Sequence, residues 1–253
     1  MQPKSRACFR GIQMKFASRF ILLAALAGTL AACGPTGSAP TSTSSSASTS
    51  DPSPALAKAG DVKPGAAEQV SENTYQYKAL GLTVTAPDGW YIAPSDIMEK
   101  MMTAGADLST SNMEQGTKAA VRSSLQRTAS IFTFAAQPPG APVPYMAAVM
   151  GLTEDVGMLP GIKRGSDYFF HARKLMEQSA VPTKIADGYT TRKIGGQEFD
   201  RMDVQMGDPS RAVSQRYFAA RHGNVIFGII QSYRTDEELA TLDKVLDSIK
   251  LDW

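Results

Sequence analysis

From Tyr75 to Thr85 the stretch YQYKALGLTVT reads as a strand, and the Ala86-Pro87-Asp88-Gly89 turn signal ends it before Trp90. The period then lengthens. Ser95 can cap a helix that begins at Asp96 and carries Met98, Met101 and Met102 on one face. A second helix is expected from about Asn112 to Arg127, with Met113, Val121 and Leu125 turned inward. Two strands follow, IFTFAAQ (131–137) and YMAAVMGL (145–152), with the loop PPGAPVP between them. Helical spacing returns over Ser166 to Ser179, where Tyr168, Ala172, Leu175, Met176 and Ser179 share a side.

The last third is the most regular. Met202, Val204 and Met206 alternate with polar residues in FDRMDVQM, a half-exposed strand, and VSQRYFAAR (213–221) is another. A tight turn at Arg221-His222-Gly223-Asn224 leads into NVIFGIIQSY, whose unbroken apolar run predicts a strand covered on both faces. Thr235 with Glu238 forms a capping box that opens a final helix, which turns Leu239, Leu242, Val245, Leu246 and Ile249 to the core. Strands joined by turns and bracketed by helices predict one α+β domain over 75–253, an α/β/α sandwich with a central, mainly antiparallel sheet.

The N-terminal part is of another kind. Residues 14–33 read MKFASRFILLAALAGTLAAC: Lys15 and Arg19, then an eleven-residue apolar run from Phe20 to Leu30, then small residues. This is the layout of a secretory leader over residues 1–32 that starts at Met14, and the run is shorter than the roughly 20 residues a membrane span needs. Its end, Leu30-Ala31-Ala32-Cys33, resembles the lipobox of bacterial lipoproteins. The resemblance implies cleavage before Cys33 and diacylglycerol on its sulfur, and Gly34 in place of Asp implies an outer-membrane destination in a Gram-negative source. Cys33→Ser is accordingly expected to move the protein from the membrane to the soluble fraction; a wild-type protein already soluble would contradict this. Residues 34–74 are rich in Ser, Thr, Ala, Pro and Gly and are expected to be a disordered tether of roughly 35 Å.

Removing the leader changes the charge. Five of the 26 basic residues and none of the 24 acidic ones precede Cys33, which leaves 21 against 24. The nominal basicity belongs to the leader, so a nucleic-acid partner is not expected. The only cysteines are Cys8 and Cys33, so the domain folds without disulfides.

Recognisable catalytic motifs are missing from the sequence, and no cofactor is expected. His171 lies on the polar face of its helix and His222 in a turn. Glu154-Asp155 reads as a loop charge, and Asp236-Glu237-Glu238 complements a helix N-terminus. Met98, Met101, Met102 and Met113 are a different matter: thioethers are soft ligands for Cu(I), although methionine also serves as flexible packing or as an adaptable contact surface for a partner or an acyl chain.

The turn Ala86-Pro87-Asp88-Gly89-Trp90 and the strand-plus-helix from Asn224 to Leu251 resemble those of PsbP-like domains. That resemblance implies a central antiparallel sheet with helices on both faces and a binding or assembly role without catalysis. The expected protein is a membrane-anchored extracytoplasmic lipoprotein, lipidated at Cys33, that binds an envelope protein or a lipid. A Cu(I)-binding protein and an enzyme with an unfamiliar site are the alternatives.

Overall fold

The computed structural model describes residues 67–253. The leader, the start at Met14, Cys33 and the tether up to residue 66 lie outside the described residues. Strand β1 (Glu68–Ser71) falls inside the segment read as tether. It is exposed along its length and is held by antiparallel pairing with β2 (Thr74–Tyr77), a backbone interaction that composition does not reveal.

The single strand expected over 75–85 is a hairpin. A short 3₁₀ turn at Lys78–Leu80 and Gly81 (φ 54°) reverse the chain, so that β3 (Leu82–Thr85) pairs back onto β2. Gly81 is required twice over: its backbone is left-handed, and a Cβ there would sit 2.9 Å from the Asp252 carbonyl oxygen. Strand β4 (Tyr91–Ile92) leads into α1 (Ser95–Ser109) and α2 (Gln115–Leu125), the latter starting three residues later than expected.

The long strands β5 (Thr128–Ala135) and β6 (Ala148–Asp155) then run antiparallel, and α3 (Gly165–Glu177) follows. Strands β7 (Thr183–Ile185) and β8 (Thr190–Ile194) are too short to show a period, and both pair with β9 (Gln197–Met206). The chain closes with β10 (Val213–His222), β11 (Val225–Tyr233), α4 (Asp236–Ser248) and β12 (Lys250–Leu251). At the start of α4 the Glu238 amide donates to Thr235 Oγ1 (3.2 Å) and the Thr235 amide to Glu238 Oε2 (3.2 Å), the expected capping box.

The large sheet has the order β4-β5-β6-β11-β10-β9-β7, with β8 beside β9, and all its pairs are antiparallel. A small sheet, β1-β2-β3-β12, lies apart from it. Alternation along the strands separates two cores. Ile226 and Ile230 of β11, Tyr217 and Ala219 of β10, and Met202 and Val204 of β9 pack against α1 and α3. Phe227, Ile229, Phe218 and Phe199 face the other way, onto α4 and the small sheet. The α+β sandwich is thus the observed fold, with β11 buried on both faces, and the small sheet shares one outer layer with α4.

Candidate functional site

Four edge-to-centre strands present a floor of small side chains to the underside of α1. Register places Tyr91, Ala135, Ala148 and Ser232 in one row across β4, β5, β6 and β11. The next row on the same face holds Thr133, Met150 and Ile230. Ala135 and Ala148 stop at Cβ, and α1 leans over the floor on Met98 and Met101, so the space between them is not filled. The result is a cleft of about 480 Å³ including its mouth, closed on one side by Pro139 and Met146 of the β5–β6 loop.

Its chemistry is plain. Four methionines, three alanines, Ile230 and Pro139 make most of the wall, and Tyr91 is its one titratable residue. The two aliphatic hydroxyls are already engaged: Thr133 Oγ1 donates to the Phe132 carbonyl (2.9 Å), and Ser232 Oγ accepts from Gln215 Nε2 (2.8 Å). A site of this size, without a charged side chain on its wall, suits an apolar guest, and methionine walls adapt to its shape.

A second arrangement lies on the same face, farther along β6. Glu154, read as a loop charge, is instead a fully buried strand residue. Ser124 Oγ of α2 donates to its Oε1 and Tyr168 OH of α3 donates to its Oε2, both at 2.6 Å. Arg127 Nη2 approaches to 3.9 Å. Burial raises the carboxyl pKa to about 7; the Ser124 and Tyr168 hydrogen bonds and the Arg127 charge act against that rise, and Asp155 adds to it. The same burial, together with the Glu154 charge, keeps the Tyr168 phenol protonated. Glu154 therefore fastens two helices to the sheet. It is not part of the cleft wall.

The four methionines singled out from the sequence are not brought together. Met98 faces the cleft from the core side and Met101 is half-buried beside it; Met102 is buried in the core, and Met113 lies half-buried between α1 and α2. Met146 and Met150 take their place on the cleft wall. Positions 146, 148 and 150 share the two-residue period of a strand, a signal the sequence carried, but the placement of α1 over them was not legible. His171 is half-buried and meets Phe170 edge-on (5.5 Å), while His222 stacks on Trp253 (4.8 Å). Among the described residues, no cluster of three or more His, Cys, Asp or Glu could hold a metal ion, and no helix is long and apolar enough to cross a membrane.

No protein-family model matches the chain, and no curated protein resembles it. Solved structures similar in backbone include the following two. The crystal structure of LpqN, involved in cell envelope biogenesis of Mycobacterium tuberculosis, aligns with 67% of this chain and 82% of its own at 12% identity and a TM-score of 0.36. The solution structure of the cyanobacterial PsbP of Synechocystis sp. PCC 6803 aligns over 73% and 96% at 11% identity and a TM-score of 0.42.

Proposed function

We propose that this chain is an envelope lipoprotein, tethered through lipid on Cys33, whose domain binds an acyl chain in the methionine-walled cleft without chemical turnover. The observation that carries the reading is the wall itself: a cleft of about 480 Å³, its open mouth included, lined mostly by apolar side chains, with the Thr133 and Ser232 hydroxyls already hydrogen-bonded. Such a wall offers little to a polar or charged guest and buries an alkyl chain well. Glu154, the acid with the clearest pKa shift, lies away from the cleft, and this separation supports binding rather than catalysis. The membrane address rests on the lipobox-like Leu30-Ala31-Ala32-Cys33; in a Gram-negative source it implies the periplasmic face of the outer membrane.

Ala148 lies at the centre of the floor, paired with Ala135 on one side and Ser232 on the other. Ala148→Trp is expected to fill the cleft and weaken binding of N-phenyl-1-naphthylamine, a neutral apolar dye, about tenfold or more with the fold retained. Fluorescence titration of both proteins decides it; equal titrations would remove the cleft from the account.

A second reading draws on Met98, Met101, Met146 and Met150, four thioethers on one wall, as soft donors to Cu(I). Titration with Cu(I) against bicinchoninate separates the two: the acyl-chain reading expects no competition at micromolar protein, and competition would favour copper.

A further inference from the structure

We infer that the guest of the cleft is a single-chain anionic amphiphile whose head group is received by Arg234. This inference rests on the acyl-chain reading of the cleft. Arg234 follows directly on the end of β11, two residues after Ser232 of the floor, and Met146, itself on the wall, lies two residues before Ala148 in the loop that leads into β6. The Arg234 guanidinium carbon lies 4.6 Å from the centre of the Tyr145 ring, and Tyr145 adjoins Met146 of the cleft wall in the chain, so the cation sits beside that end of the cleft.

The guanidinium is held but not neutralised. Its Nη2 donates to the Arg211 carbonyl (2.7 Å) and its buried Nε has no hydrogen-bond partner, and among the described residues no carboxylate lies within 4 Å of it. Glu238, four residues on, turns Oε2 to the backbone amides of Arg234 (2.7 Å) and Thr235 (3.2 Å) rather than to the guanidinium. Arg192, Arg201 and Arg216 on the opposite side of the sheet differ, each having an aspartate within 4 Å. An apolar cleft with a fixed, half-buried guanidinium beside one end and, among the described residues, no carboxylate paired to it matches a molecule with an alkyl chain and one carboxylate or phosphate.

The test is calorimetric titration of the full lipid-free protein with four dodecyl compounds below their micelle concentrations: laurate, dodecyl phosphate, dodecyl maltoside and dodecyltrimethylammonium. The expected result is that laurate or dodecyl phosphate binds about tenfold more tightly than the neutral and cationic compounds, and the ratio of the two anions tells carboxylate from phosphate recognition. Arg234→Gln is expected to abolish that preference and leave dodecyl maltoside binding unchanged, which also shows that the variant is folded; Arg234→Lys is expected to keep most of it. Equal binding of anionic and neutral compounds, or equal weakening of both in Arg234→Gln, would overturn the head-group assignment while leaving the cleft in place. Failure of all four to bind, or unimpaired laurate binding in Ala148→Trp, would overturn the cleft itself.

Discussion

Stability is expected to fall by about 3 kcal/mol as the pH is raised from 4.5 to 8, with Glu154 as the source. In the unfolded chain its carboxyl titrates near the ordinary 4.5, whereas in the fold burial holds it at about 7. Below 4.5 both states carry the proton, so the group contributes no difference. Between 4.5 and 7 the folded state keeps a proton that the unfolded state has lost, and stability declines with every step in pH; above 7 both are ionised and the loss is complete. Protonated, the acid can donate to the Ser124 or Tyr168 oxygen and accept from the other, so no buried charge remains. Glu154→Gln reproduces that neutral pattern. Urea midpoints measured across this range should slope for the wild type and stay flatter for Glu154→Gln, with the two similar at pH 5 and the variant more stable at pH 8. Parallel curves would mean that Glu154 is not the titrating group.

The second large effect is steric. Gly165, the first residue of α3, lies so close to β10 that a Cβ there would come within 2.1 Å of the Ala219 carbonyl oxygen and 3.0 Å of Asp200 Cβ. The obstacle is backbone of a strand paired on both sides, which has no rotamer to change. The Ser166 amide, which donates to Asp200 Oδ2 at 2.7 Å, would be pushed away as well. Gly165→Ala is expected to cost about 3 kcal/mol. Gly161→Ala, four residues earlier, is the matched control: a Cβ there meets nothing within 4 Å, and little change is expected. Equal melting of the two variants would show that α3 is not pinned at this point.

The parts of the fold that were legible in the sequence are those whose neighbours do not alter the reading. Strand β11 shows itself by an unbroken apolar run because it is buried on both faces, and α4 by Thr235 and Glu238, whose capping bonds are local. Glu154 was not legible. Two adjacent acids at the end of a strand look like solvent-facing charge, and only α2 and α3, folded from distant residues, supply the hydroxyls that bury the first of them. The cleft was illegible for a related reason. An alanine in a strand marks a small side chain, but it marks empty space only when a helix spans it without filling it, and the position of α1 depends on packing rather than on period. Clustering along the chain groups Met102 and Met113 with Met98 and leaves out Met146 and Met150, which the fold brings to the cleft wall.

That regrouping offers the most direct test of the acyl-chain account. With methionine methyls labelled with carbon-13, addition of dodecyl maltoside below its micelle concentration should give saturable shifts of the Met98, Met101, Met146 and Met150 signals. The signal of Met158, 88% exposed on a loop, should not move, nor should that of Met202 in the core beneath α3. Shifts at Met158 with the four cleft methyls unchanged would place the apolar contact elsewhere and contradict the account.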